Sequence, residues 1–438
     1  MNLIYKLDDS VPREKFLIYS LQHVILFISG GTAMVVVVGI SIGLSAPELS
    51  ALMQRTFIVT GAFSFLQGIF GHRYPIIDGP AALWVSIIML IVPAVQGHVN
   101  TFLTDLETGI MIGGVLVVLV TVTGLMPYVF KLFTSPVNGV LLMLMVIQIS
   151  PSIVRGMTGL SSKNEFLSGS SVLVFFFTVA ALLILNSATR GFLKSIAVLT
   201  GTAAGWLFAI PMGLASRPQS GASFLSLPEI FAFGRPTWNP GIVIVCIFAS
   251  FVLLSMVYAS IIGMSEIVDK KIDAQGMKKG VLFHGISAAA AGVFSMVPNL
   301  PYITPIGMIS MTGVAARKPF MVGSLILLVM GLISPVGALF SSIPIPVGYA
   351  TMTVLFALIF KQGLHEVQKD ADRFADRIGY VVGIAMIIGV GVMFLPFETF
   401  AHLPGILPYL LSNGLIDGTV IAIILDKALL KRRTVPAN

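Results

Sequence analysis

Two short stretches with polar residues interrupt long apolar sequence and hold the side chains best suited to bind a solute. The first, residues 74–80, is Tyr-Pro-Ile-Ile-Asp-Gly-Pro, and the second, residues 299–307, is Asn-Leu-Pro-Tyr-Ile-Thr-Pro-Ile-Gly. In each stretch, residues that favour extended backbone lead into a proline at the predicted first turn of a helix. Asp78 or Gly79 is placed to cap the first helix, and Thr304 is placed to cap the second. The free N–H groups and positive dipole end of such helices bind acceptor atoms.

Asp78 is the most reactive group in these stretches. A carboxylate inside a membrane is costly unless it has a task, so Asp78 is a candidate for substrate binding or proton coupling. It also fits a purely structural role, since an aspartate can cap a helix and complement its dipole. Both interpretations stay open at this point.

The elements that position these stretches are membrane spans. The chain has 438 residues, of which 56% are hydrophobic and 10% charged, and its mean hydropathy of +0.98 excludes a soluble globular protein. The apolar runs predict an all-α polytopic membrane protein with about fourteen spans, near 18–43, 53–70, 74–96, 106–130, 136–154, 168–187, 192–215, 240–265, 279–298, 300–316, 320–341, 345–361, 376–395 and 405–425.

The basic residues predict the topology of these spans. An even count places both termini on one side, and with that side cytoplasmic, most of the 26 Lys and Arg residues fall in inside loops. Seven spans in residues 1–220 and seven in 221–438 form two inverted repeats, with the polar stretches leading into half-helices in spans 3 and 10. We therefore expect a multi-pass protein of the cell membrane.

The composition argues against several other classes of protein. The net charge of +7 is spread over short loops, so it indicates topology and not nucleic-acid binding. The single cysteine, Cys246, excludes internal disulfides. No metal-ligand spacing, phosphate-binding loop or catalytic constellation is visible, which predicts that the chain is not an enzyme and has neither a metal nor an organic cofactor.

Four segments resemble the nucleobase/ascorbate transporter family, whose members include uracil, xanthine and uric acid permeases. The similarity extends over most of the chain. The segments that carry it are Gln22-His23 with Ser29-Gly30-Gly31, Pro75 to Leu83, Pro298 through Gly307 to Val314, and the proline pair in Ile343 to Val347.

The resemblance implies an architecture and a site. Spans 1–4 and 8–11 would form a core domain and spans 5–7 and 12–14 a gate domain. The substrate would lie between the two half-helix N-termini and the eighth span. Import with a proton is the family default, and a homodimer is compatible with the family.

The chain departs from the family at two positions that usually hold Glu or Gln. The eighth-span position aligns with Met256 and the tenth-span position with Thr304, while a nearby family histidine aligns with Ser260. These changes weaken the expectation of proton coupling. We expect the base to bind to backbone at Gly30, Ala81, Ala82, Ile303 and Thr304 and to the Thr304 hydroxyl, with Met256 and Ser260 forming one wall.

Four more side chains have two interpretations each. Gln22 and His23 either contact the substrate or brace neighbouring backbone. Tyr302 either stacks on a base or packs beneath the half-helix. Tyr349, after the proline pair, either faces the site from the gate domain or packs away from it.

The predicted function is secondary transport of nucleobases, purines such as xanthine or uric acid ahead of pyrimidines, by alternating access. Sulfate and bicarbonate carriers share the two-repeat plan, and opposed helix N-termini without nearby acids would suit an anion. A non-transporting membrane receptor is the third alternative. A nucleobase is the expected partner besides the lipid bilayer.

Overall fold

A computed structural model describes residues 3–92, 99–160, 166–189, 194, 196–218, 223–369, 371–400 and 402–429. The described chain is mostly helical, with two short strands. In chain order the elements are α1 Arg13–Ser41, α2 Ala46–Ile69, β1 Asp78–Pro80, α3 Ala82–Ile91, α4 Val99–Val122, α5 Met126–Phe130, α6 Ser135–Thr158, α7 Gly169–Ala188, α8 Ala197–Ala209, α9 Pro240–Ile267, α10 Ala274–Val293, β2 Asn299–Pro301, α11 Thr304–Thr312, α12 Arg317–Leu332, α13 Ser334–Ser341, α14 Ile345–Gln368, α15 Ala371–Met393, α16 Leu407–Leu411 and α17 Gly414–Ile424.

Many of these helices are suited to a bilayer. Among the described residues, eight helices are long and apolar enough to cross a membrane, and α3 and α8 are shorter apolar helices. The chain is therefore a multi-pass membrane protein. Each predicted span overlaps described helix, but the count of fourteen stays a prediction.

The helices pack in two groups. In one group α4 packs on α9 and α10, while α2 packs on α12 and α13 and α1 packs on α12. In the other, α14 packs on α6 and α7, and α15 packs on α6 and α17. Contacts of α1 with α14 and of α3 with α6 join the groups. The short strands and helices of the two polar stretches lie within the first group.

The two strands form an antiparallel ribbon that joins the halves of the chain. Asp78 lies opposite Pro301, Gly79 opposite Leu300, and Pro80 opposite Asn299. The Ala81 N–H donates to the Pro298 carbonyl at 2.9 Å and the Tyr302 N–H donates to the Ile77 carbonyl at 3.0 Å, which extends the pairing at both ends. The two stretches singled out from the sequence are thus direct neighbours.

The predicted caps of the two short helices are wrong. Helix α3 begins after Ala81 and α11 after Ile303, and neither has a side-chain cap, so Asp78, Gly79 and Thr304 do not cap them. Strand pairing holds Asp78–Pro80 in extended backbone, and this delays the start of α3. Pro80 therefore lies in a strand, whereas Pro305 does lie in the first turn of α11 as predicted.

Three intervals predicted as single spans are each broken into two helices: 106–130 between α4 and α5, and 320–341 and 405–425 at two breaks that have hydrogen bonds of their own. In 320–341 the chain is extended at Ile333, where the Ser334 N–H donates to the Phe224 carbonyl and Pro335 opens α13. In 405–425 the break falls at Asn413, whose side chain accepts from the Ile416 N–H and caps α17. Both breaks are stabilised by hydrogen bonds that replace those of a continuous helix.

Candidate functional site

The ribbon sets the position of two helix N-termini. Because the strands are antiparallel, α3 starts beyond one end of the ribbon and α11 beyond the other. Three residue pairs separate these ends by about 10 Å, at about 3.4 Å per residue. The first N–H groups of each helix have no partner within the helix, and no side chain caps them. The arrangement can bind acceptor atoms at two points of one small solute.

Asp78 lies in the ribbon with its carboxylate enclosed by protein. The residue is 3% exposed, and its backbone N–H donates to Ser64 Oγ at 3.0 Å. Its Oδ1 atom has no hydrogen-bond partner among the described residues. A buried acceptor without a donor is costly, so this carboxyl group is suited to take up a proton or to bind a ligand donor.

Tyr302 is held against the ribbon. Its hydroxyl donates to the Pro80 carbonyl at 3.2 Å, and its ring covers Gly79 so closely that a Cβ there would lie 2.3 Å from Tyr302 Cζ. This contact favours the packing role for Tyr302 over stacking on a substrate. It also explains why a residue without a side chain occupies position 79.

Helix α9 is attached to the ribbon by Ser260. Its hydroxyl donates to the Pro301 carbonyl at 2.8 Å and is buried. Met256 lies one turn earlier on the same face of α9 and is partly buried. Ser260 therefore positions β2, and its hydroxyl is already committed to the backbone.

The predicted backbone site is divided between enclosed and open positions. Ala81 and Ala82 are buried, whereas Ile303 is 48% exposed and Thr304 is also exposed. Gly30 is buried, and a Cβ there would lie 3.5 Å from Leu355 Cδ1 in α14. The structure thus places Ala81, Ala82, Ser260, Ile303 and Thr304 around the ribbon, with Gly30 facing α14.

Helix α11 has one open face. Besides Ile303 and Thr304, this face presents Gly307 and Ser310, which are exposed, while Met308 on the other face is buried. A Cβ at Gly307 would meet no atom within 4 Å. Solute could therefore approach the N-terminus of α11 along this face.

Three other candidate side chains lie on α1 and α14. His23 packs edge-on against Phe320 of α12, with ring centroids 5.3 Å apart, which favours bracing. Gln22 is 5% exposed and makes no side-chain hydrogen bond to described residues, so both of its interpretations stay open. Tyr349 packs so closely on α6 that a Cβ at Gly156 would lie 2.0 Å from its ring, which favours packing.

A second buried polar cluster was not identified from the sequence. Ser295 Oγ and the Phe233 N–H both donate to Glu107 Oε1, and Arg55 Nη2 reaches the Ser295 carbonyl at 3.5 Å. A cavity of about 20 Å³ beside Glu107 has room for one water molecule and not for a nucleobase. The cluster ties residues 231–233 to the helices. In the sequence, the indication of this cluster was the presence of charged residues, Arg55 and Glu107, within apolar runs.

Within the part of the chain that the structure describes, no group of three or more His, Cys, Asp or Glu residues could hold a metal ion. The polar groups around the ribbon include backbone carbonyls, the Asp78 carboxylate, the Asn299 amide, hydroxyl groups and two helix termini. Their chemistry is that of reversible binding.

Comparison with known proteins gives a family for this architecture. The model of the Permease family (Xan_ur_permease) matches residues 14–398. The chain is 29% identical to YwdJ of Bacillus subtilis (strain 168), over 96% of this chain and 97% of that protein. It is 26% identical to the uric acid permease PucK of the same organism, over 94% of each chain. It is 23% identical to the xanthine permease XanP of Escherichia coli (strain K12), over 97% of this chain and 94% of XanP.

Solved structures share the fold at low sequence identity. The transmembrane domain of the cyanobacterial bicarbonate transporter BicA superposes with a TM-score of 0.63 at 15% identity, covering 88% of this chain and 98% of that domain. The murine anion transporter Slc26a9, in its inward-facing state, gives a TM-score of 0.61 at 14% identity, covering 96% of this chain and 69% of Slc26a9. At these identities the likeness concerns the fold alone. The family match confirms the resemblance found in the sequence: the chain is a transporter and not an enzyme, and it belongs to the Permease family.

Proposed function

We propose that this chain carries a nucleobase across the cell membrane by alternating access, with purines such as xanthine or uric acid as the preferred substrates. The observation that carries the proposal is the ribbon, which brings a helix N-terminus from each half of the chain to one place. The names of the similar permeases support a purine substrate.

The proposed cycle uses the two packing groups as moving parts. The chain forms two inverted repeats of seven spans, with both termini cytoplasmic. The group that contains the ribbon is the core domain, and the group around α6, α7 and α14 is the gate domain. Rocking of the core against the gate exposes the ribbon to one side and then to the other. A homodimer stays a prediction from the resemblance.

The base binds between the helix N-termini. N–H groups at Ala82 and Thr304, with the Thr304 hydroxyl, donate to the acceptor atoms of the heterocycle, while the Ala81 N–H stays committed to the Pro298 carbonyl. Met256 forms an apolar wall, and Ser260 supports the ribbon from behind. Asp78 takes up the coupling proton, because it is the carboxylate of the ribbon and has an acceptor atom free.

Uptake into proteoliposomes tests the proposal. Radiolabelled xanthine, uric acid, guanine, adenine, hypoxanthine and uracil would be supplied with and without an inward proton gradient. Accumulation of one base under the gradient is the expected result. Movement of sulfate or bicarbonate with no flux of any base would instead identify an anion carrier, and binding without flux would identify a receptor.

Thr304→Val should weaken uptake affinity. Loss of one hydrogen bond to the base should raise KM by about 2–10-fold, while valine keeps the shape of threonine. Ser310→Ala is the matched control, because Ser310 is on the same exposed face but its hydroxyl donates to the Ile306 carbonyl of its own helix. Equal KM values for Thr304→Val and wild type would remove Thr304 from the site.

Ser260→Ala should lower stability. It leaves the buried Pro301 carbonyl without its donor, which should cost about 1–3 kcal/mol. Ser255→Ala removes a buried hydroxyl that bonds only within α9, to the Val252 carbonyl, and serves as the control. Thermal unfolding in detergent compares the two. A Ser260 variant no less stable than the Ser255 variant would show that the contact contributes nothing.

A further inference from the structure

A second cavity lies away from the ribbon, where α2 and α9 end and α10 and α12 begin. Its volume is about 440 Å³. The residues that line it come from four parts of the chain, namely Leu7, Asp8, Gly71, His72, Arg73, Tyr74, Lys270, Lys271, Ile272, Asp273, Gln275, Gly276, Lys279 and Arg317. The transport cycle proposed above makes no use of this cavity.

The lining of the cavity is strongly basic. It holds five cationic side chains, three lysines and two arginines, against the two carboxylates of Asp8 and Asp273. Asp273 is engaged as the cap of α10, where it accepts from the Gly276 N–H at 2.7 Å. Lys271 and Lys279 have no ion-pair partner among the described residues. The cavity therefore has unneutralised positive charge.

Asp8 already acts as an anion within this cavity. Its carboxylate contacts Lys270 Nζ at 3.0 Å and Arg317 Nη2 at 2.8 Å. The hydrogen bond from Lys270, together with the charges of both cations, holds the pKa of Asp8 below its usual range, so the group is ionised at neutral pH.

The N-terminal segment brings Asp8 to this place. The Ile4 N–H donates to the Gly313 carbonyl at 2.8 Å, and the Arg317 N–H donates to the Leu7 carbonyl at 2.9 Å. The segment thus runs beside the chain that enters α12. An anion that entered the cavity would compete with the Asp8 carboxylate for Lys270 and Arg317.

His72 is the buried polar residue of the cavity lining. It is 3% exposed and lines the cavity. The Tyr74 N–H donates to His72 Nδ1 at 3.0 Å, so a neutral imidazole carries its proton on Nε2. Nε2 has no hydrogen-bond partner among the described residues. A buried donor without an acceptor costs free energy that an acceptor from outside would recover.

We propose that this cavity binds a phosphate-bearing anion, held by Lys271 and Lys279 and in competition with the carboxylate of Asp8. A phosphate group offers several acceptor oxygens on one small charged centre, which suits cations converging from several elements. The ligand is either free phosphate or the headgroup of an anionic phospholipid, since basic cavities between helices bind such headgroups.

Binding to the purified full-length chain in detergent tests the proposal. One arm titrates inorganic phosphate and the other short-chain dioctanoyl phosphatidylglycerol, with dioctanoyl phosphatidylcholine as the zwitterionic reference. Isothermal titration calorimetry gives the affinity. Saturable binding of inorganic phosphate identifies free anion as the ligand, and saturable binding of phosphatidylglycerol alone identifies the lipid headgroup. Both results support the site.

Variants of opposite expected effect make the test specific. Lys271→Gln and Lys279→Gln should each weaken binding by about tenfold, through loss of one charge-assisted hydrogen bond. Asp8→Asn should strengthen binding several-fold, because it removes the competing charge. Lys278→Gln and Asp9→Asn change charge equally but lie outside the lining, so they should leave affinity within about twofold.

Three results would overturn the proposal. The first is the absence of saturable binding of either probe to a folded protein. The second is equal weakening by Lys278→Gln and Lys279→Gln, which would indicate general attraction to basic surface. The third is weaker binding in Asp8→Asn while Lys271→Gln binds as wild type.

Discussion

Replacing Asp78 by asparagine should abolish proton-driven accumulation of the nucleobase while exchange of base across the membrane continues. Asparagine has nearly the shape of aspartate but cannot take up and release a proton. A gradient of one pH unit stores about 1.36 kcal/mol per proton, which supports about tenfold accumulation for one coupled proton. We expect the Asp78→Asn variant to accumulate base to about the external concentration only.

The measurement is uptake by proteoliposomes at equal protein content, with and without the imposed gradient. Glu266→Gln is the matched control, because Glu266 is an exposed carboxylate at the end of α9, outside the ribbon and about 9 Å along the helix from Ser260. It should accumulate base as wild type does. Undiminished accumulation by Asp78→Asn would show that another group carries the proton, and Glu107 would become the next candidate.

Gly79→Ala should destabilise the protein and stop transport. The new Cβ would lie 2.3 Å from Tyr302 Cζ, and the ring is fixed by its hydrogen bond to the Pro80 carbonyl. Neither strand can move aside without breaking the pairing that joins the two halves. Overpacking of this kind costs about 1–3 kcal/mol, which thermal unfolding in detergent would detect.

Gly383→Ala is the control for this change, since a Cβ at that helical position meets no atom within 4 Å. It should leave stability unchanged or raise it slightly. A double variant, Gly79→Ala with Tyr302→Ala, should recover part of the loss, because it removes the ring that the methyl group meets. If the double variant is no more stable than the sum of the single effects predicts, the contact is not the cause.

The sequence contained good signals for the local features of the ribbon region. The polar stretch at 299–307 predicted extended backbone followed by a helix with Pro305 in its first turn, and this is confirmed. The preference of proline for a first turn is local, so it can be predicted without knowing the rest of the fold.

Pairing between residues far apart in the chain explains the features that the sequence did not predict. Asp78 was expected near a helix cap, but pairing with Pro301 keeps it in a strand. The Ser260 hydroxyl was expected to form part of a wall, yet it is committed to the Pro301 carbonyl. His72 gave no signal, because its exposure and its partner depend on how the loop from α2 packs on α10. Contacts between residues far apart in the chain decide each case.

The ribbon also constrains how the protein is made. Pro80 and Tyr302, which it brings into contact, are 222 residues apart in the chain. During synthesis the first strand enters the membrane long before its partner exists, and unpaired backbone groups in lipid cost several kcal/mol each. The region from β1 to α3 therefore reaches its final position late, after translation of the second half. Biogenesis must keep that segment shielded until the partner strand arrives.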